Sequence, residues 1–158
     1  MPGGSLLRVL VVATLVWLLG MASYAVLRLG PEGALPLLDC RILGYHPEQV
    51  ATWLEGLSDL GRSRLLGVFR WADTVLPLLI GATLALAAFA VRRPWLAALA
   101  LVYVGLDLAE NAAVAAILRA NEADPALVGR ASGLTVGKWA VLIPTLGATL
   151  WFWWRQRR

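Results

Sequence analysis

The sequence predicts an all-α fold: a four-transmembrane-helix bundle with an amphipathic helix in the long loop between spans one and two. Three observations carry that expectation. Of 158 residues, 59% are hydrophobic and 15% charged, where an ordinary soluble domain has about 45–50% and about 25%. Four stretches reach the roughly 20 mostly apolar residues that a helix rising about 1.5 Å per residue needs to cross about 30 Å of hydrocarbon. The basic residues stand mostly at the ends of those stretches, where a membrane protein places its anchors. A single integral membrane domain, residues 1–158, accounts for the chain.

The first span, Leu6–Leu29, is apolar all round between Arg8 and Arg28. Its basic start, apolar run and small-x-small pattern ending at Ala25 resemble a signal peptide. The apolar run continues past Ala25 to Leu29, however, so a retained helix is expected. Val68–Val91, Trp95–Leu118 and Leu134–Trp154 are the second, third and fourth spans, each with charge inside it. Trp71, Trp95, Trp151, Trp153 and Trp154 stand near span ends, at the headgroup level that indole rings favour. Trp17 is mid-span and is expected to pack against a neighbouring helix. The first connection opens irregularly with Pro31, Gly33 and Pro36. After His46, Pro47 suits a first helical turn, and a helix is expected over about 47–60. Val50, Trp53, Leu54 and Leu57 fall on one face of it, and Glu48, Thr52, Glu55 and Asp59 on the other. Such a helix lies on the membrane surface as a cap, or covers a site as a lid.

Four spans put both termini on one side, with Arg8, Arg92, Arg93, Arg155, Arg157 and Arg158 and no acid near them. The other side carries seven basic residues interspersed with acids. The Arg92-Arg93-Pro94 turn and the basic tail point to cytoplasmic N- and C-termini in a bacterial inner (plasma) membrane. The net charge of +4 builds no soluble basic face, so nucleic acid is not an expected partner. Cys40 is the one cysteine, which excludes an intramolecular disulfide, a CxxC redox centre and a thiolate zinc cage. His46 is the one histidine and lies in a loop. The sequence therefore points to no metal and no cofactor.

The polar residues within the spans are the most informative. A charge at mid-helix costs about 2.5–3.5 kcal/mol on insertion scales, and such residues face the bundle interior. Asp107, Glu110 and Asn111 in span three are spaced three and four apart on one helical face, and Tyr103 continues the stripe one turn earlier. Span two contributes Arg70 and Asp73, and span four contributes Lys138 with Thr135 one turn before it. Ser23 and Tyr24 close span one. With alternating directions, these groups fall in one layer, in the half of the bundle away from the termini. Pro77 cannot donate to the carbonyl of Asp73, nor Pro144 to that of Ala140. Both carbonyls are thereby left for a neighbour, water or ligand.

Tyr45-x-Pro47-Glu48, Asp73-x-x-x-Pro77, Asp107-x-x-Glu110-Asn111 and Lys138-Trp139 resemble a pattern found in a set of small bacterial four-helix integral membrane proteins. The resemblance runs from about Tyr45 to Trp139 and implies the fold without implying an activity. Three functions are open. One is a buried polar site for a lipid-like amphiphile, formed by Asp73, Asp107, Glu110, Asn111 and Lys138, with Arg70, Tyr24 and Tyr103 as neighbours. Another is a non-catalytic subunit or assembly factor whose charges organise packing, since three acids against two cations sum to only −1. The third is a proton- or ion-coupled carrier working as an oligomer. Expected partners are membrane lipid, a lipid-like substrate, and a second copy or a larger membrane complex. The first function requires an opening that reaches Glu110 and Lys138, and a dry, closed ion-pair cluster there would sink it.

Overall fold

Helix α1, Gly3–Tyr24, widens into a π-type turn at Ala25–Leu29 and tightens into a 3-10 turn at Gly30–Glu32. This is a computed structural model, and it describes residues 3–158. Two features stop the first helix. Pro31 lacks an N–H, and Gly33 takes a left-handed φ of 76° that suits a residue without Cβ. Next come α2, Pro47–Glu55, and α3, Asp59–Arg64. The helix expected over 47–60 is thus divided: α2 ends at Gly56, and Ser58 Oγ caps α3 by accepting the Gly61 N–H at 3.0 Å.

A second wide turn, Leu65–Phe69, joins α3 to α4, Arg70–Ala90, with Gly67 at φ −95°, ψ −108°. The span expected from Val68 therefore starts beside the kink at Gly67, and the helical stretch runs back from there through α3 to Asp59. Helix α5 is Trp95–Ala120 and α6 is Pro125–Gln156. The fourth span starts earlier than expected. Asp124 caps it by accepting the Leu127 N–H at 2.8 Å, and Pro125 fills the first turn. Those polar start signals lie outside the apolar window that hydropathy detects.

Among the described residues, four helices are long and apolar enough to cross a membrane. Their outward surfaces are apolar too, with Leu19, Leu27, Val68 and Leu101 each about two-thirds exposed. The protein is a multi-pass, all-helical membrane protein. Helix α5 packs between α4 and α6, and α1 sits outside against α4. Trp17 fixes that contact by donating to the Ala72 carbonyl at 2.9 Å, aided by the Thr14 and Thr83 hydroxyls 3.0 Å apart.

Both termini share one end with the α4–α5 turn, where Gln156 Nε2 donates to the Val91 carbonyl at 2.9 Å. Residues 30–58 cover the opposite, loop end. There Leu29, Leu38, Val50, Trp53 and Leu57 are buried with Ile117 and Val128. The covering chain is tied to the bundle. Arg64 pairs with Glu32 at 3.1 Å and also donates to the Arg28 carbonyl. Trp53 Nε1 donates to the Ala34 carbonyl and Tyr45 N–H to Ser132 Oγ.

Candidate functional site at the loop end

Three charged side chains meet where α5 faces α6. Lys138 Nζ lies 2.8 Å from Asp107 Oδ1 and also pairs with Glu110 Oε2. The spacing explains the meeting. Asp107 and Glu110 are three apart on α5, and Thr135 and Lys138 three apart on α6, so each pair shares a face. Thr135 donates to Glu110 Oε1 and lies 3.4 Å from the Tyr45 hydroxyl. These side chains are closed off, with exposures of 7% for Asp107, 0% for Glu110 and 6% for Lys138. Burial pushes the Tyr45 hydroxyl up to about 12, so this loop residue stays protonated against the triad. Tyr103 is buried one turn before Asp107.

Asn111, one residue further along α5, serves α4 instead. Its Nδ2 donates to the Asp73 carbonyl at 3.2 Å, the group that Pro77 leaves without an intrahelical donor. Arg70 in turn donates to the Asn111 carbonyl at 3.2 Å. Arg70 thus serves a backbone oxygen and, among the described residues, joins no ion pair with an acid. The triad keeps two carboxylates on one ammonium, and the Asp73 side chain has no hydrogen-bond or ion-pair partner among the described residues.

Asp73 lines open space. A groove of about 530 Å³ runs between α1, the loop and α4, walled by Leu18, Met21, Val26, Leu35 and Leu76. Asp39, Cys40 and Asp73 supply its polar end. A smaller cavity of about 40 Å³ adjoins it and shares Leu37, Asp39, Phe69 and Asp73 with it. That is room for a few waters at about 10–15 Å³ each, and Arg70 and Asn111 are its other polar lining residues, among apolar side chains such as Trp53 and Leu118. The 3-10 turn Leu38–Cys40 presents Asp39, and Trp139 Nε1 holds it by donating to the Asp39 carbonyl at 3.0 Å. Asp39 is an electrostatic neighbour of Lys138, Asp73 and Asp107.

The polar residues expected in one layer therefore separate, and neither the groove nor the cavity is lined by Asp107, Glu110 or Lys138. The opening expected to reach Glu110 and Lys138 is not found among the described residues, and an amphiphile site would rest on Asp73 instead. Asp107, Glu110 and Lys138 form the closed triad, while Asp73, Asn111 and Arg70 line the cavity beside it. Tyr24 joins neither group: its ring stacks on Phe69, centroids 6.5 Å apart. Asp39 was not among the expected site residues. The one local signal for it is an acid and a thiol directly after the apolar Leu35–Leu38 run, and only the folded loop brings it to Lys138. No family model matches the chain, and neither a curated protein nor a solved structure matches it.

Proposed function

We propose that this is a bacterial inner-membrane protein with cytoplasmic termini that binds a lipid-like amphiphile in the groove at its loop end. The observation that carries this reading is the unpaired Asp73 carboxylate at the head of an apolar groove. An ionisable side chain within a span ordinarily pairs with another group or marks a ligand path. Asp107 and Glu110 have Lys138; Asp73 has open space and Asp39. A headgroup with N–H or O–H donors, or with positive charge, supplies the missing partner, while its tail lies along Leu18 and Met21 of α1 and Val26 of the turn that follows it. The groove falls within the ~300–1,000 Å³ usual for ligand clefts. Entry is lateral, because α1 is the outermost helix.

The closed triad favours a packing role for Asp107, Glu110 and Lys138 themselves. They dock α5 against α6 and, through Thr135 and Tyr45, hold the loop that forms one wall of the groove.

A photoreactive amphiphile with an amine headgroup and a diazirine in its tail tests the proposal in proteoliposomes. Labelling mapped by peptide mass spectrometry is expected on residues 18–26 and 35–40, and is expected to be lost in Asp73→Leu. Equal labelling of that variant, or labelling spread evenly over the outward faces of α5 and α6, refutes it.

A further inference from the structure

The terminal end of the bundle holds a second cleft, independent of the first. Its mouth, about 510 Å³, lies between the starts of α1 and the ends of α4 and α6, and is lined by Arg8, Arg157 and Gln156 above Leu7, Val11 and Ala87. Beside it lies a space of about 370 Å³ between α1, α4 and α6, lined by aliphatic side chains, by Trp153 and by Thr14, Thr83 and Thr149, whose hydroxyls bond to one another or to their own helix. The two share Leu7, Val11, Ala87 and Trp153, so they adjoin, and together they are treated as one channel. We propose that this channel binds an anionic phospholipid, with one acyl chain between the helices and the phosphate held at the mouth by Arg8 and Arg157.

Three features point to that ligand. The first is charge. The mouth carries two guanidinium groups, and no acidic residue lines either part of the channel. All ten acids of the chain lie between Glu32 and Asp124, whereas Arg8, Arg92, Arg93, Arg155, Arg157 and Arg158 gather at this end. Such a cluster attracts anionic lipid headgroups. The second is orientation. The Arg157 guanidinium sits 5.0 Å from the centroid of the Trp153 ring, so the residue that supplies charge is seated on one that walls the apolar part. Arginine then offers a planar, bidentate donor set that matches phosphate.

The third feature is length. The channel follows α1 from Leu7 to Leu18, which is about 16 Å at ~1.5 Å per residue. Half of a hydrocarbon core of roughly 30 Å is the depth of one leaflet's tails. A single acyl chain beginning at the arginines thus ends where the channel ends. A soluble phosphate would use the mouth and leave the apolar part empty.

Native mass spectrometry of the full chain in a mild non-ionic detergent tests this. Phosphatidylglycerol and phosphatidylcholine with matched tails are titrated separately. One tightly held phosphatidylglycerol is expected, in clear preference to phosphatidylcholine. The double variant Arg8→Gln/Arg157→Gln is expected to reduce that preference by roughly thirtyfold. Arg92→Gln, which removes a charge from the same end but does not line the channel, is expected to retain it. Val11→Trp fills the channel and is expected to weaken both lipids. Equal binding of the two lipids by the unaltered protein overturns the proposal. So does a loss in Arg92→Gln as large as in the double variant, which would mean diffuse surface charge. Displacement of the lipid by millimolar inorganic phosphate would make the mouth an anion site and also overturn it.

Discussion

Replacing Lys138 with methionine removes the one cation from the closed triad while keeping an unbranched side chain of similar length. Two carboxylates then remain on one face of α5, with side-chain exposures of 7% and 0% and no counter-ion. Removing one partner of a buried ion pair costs about 3–5 kcal/mol, most of it the penalty for the charge left behind. Here one ammonium serves two acids, so the upper half of that range applies. On the scale of soluble domains of this length the loss lowers Tm on the order of 10 °C. The assay is a thermal melt in detergent, followed by circular dichroism and by tryptophan emission. The triple variant Asp107→Asn/Glu110→Gln/Lys138→Met removes all three charges together. It is expected to recover most of the loss, because buried ion pairs replaced as a set are often near neutral. A single variant that melts within about 2 °C of the unaltered protein would refute the packing role. A triple variant as unstable as the single one would show that hydrogen bonds, not charges, hold the helices.

Asp73→Asn replaces a carboxyl that has no hydrogen-bond or ion-pair partner among the described residues by an amide that cannot ionise. It is therefore expected to raise Tm by up to a few degrees while weakening amphiphile labelling, the trade-off expected if the proposed site binds a ligand. Asn111→Leu removes the donor to the Asp73 carbonyl and is expected to cost about 1 kcal/mol. In a Pro77→Ala background that cost is expected to shrink, since residue 77 then has its own N–H for the same carbonyl; a double-mutant cycle on chemical denaturation measures it. Gly33→Ala is expected to cost about 2 kcal/mol or more, because the residue sits at φ 76° and an added Cβ would meet the Gly56 carbonyl oxygen. Ala at Gly20, where a Cβ meets nothing within 4 Å, serves as the control melt. Cys40 is expected to react slowly with iodoacetamide despite its surface position. Burial and the neighbouring Asp39 push its thiol from 9.0 up to about 12, so it stays protonated at pH 8 and only the thiolate attacks. Raised in the folded state, that pKa adds a stability present below about pH 9 and lost as pH climbs towards 12. Alkylation at pH 8 as fast as for a free thiol would contradict this.

The spans were legible because lipid imposes length and hydrophobicity on the sequence itself, and Leu6–Leu29 and Trp95–Leu118 lie close to the helices observed. The ends were less legible. Asp59 and Asp124–Pro125 start helices with capping chemistry, which an apolar window passes over. Within the site, spacing alone placed Asp107 with Glu110 and Thr135 with Lys138, because three residues on a helix return to the same face. What spacing could not supply was the order of helices around the bundle. With α5 between α4 and α6, Lys138 reaches Asp107 and Glu110 but not Asp73, and Arg70 turns to a backbone carbonyl. Tyr24 lay at the right depth on the wrong helix, since α1 packs chiefly against α4, away from the α5–α6 face that carries the triad. Asp39 depended on a loop whose path follows from contacts a hundred residues apart, such as Trp139 with the Asp39 carbonyl.

Pro77 connects these levels. A proline in a spanning helix costs the hydrogen bond to the carbonyl four residues back, which here belongs to Asp73. Asn111 restores that bond from α5, so the position of the Asp73 backbone depends on a neighbouring helix rather than on its own ladder. The same α5 is fixed against α6 by the triad a turn away. The carbonyl of Asp73 is therefore satisfied by a rigid partner, while its carboxylate stays free to face the groove. A residue used only for packing would have its carboxylate paired, as Glu110 has with Lys138 and Thr135. Holding the backbone of an unpaired acid in place from a second helix costs stability at one point and fixes an ionisable group at the head of an apolar path, an arrangement suited to meeting a ligand.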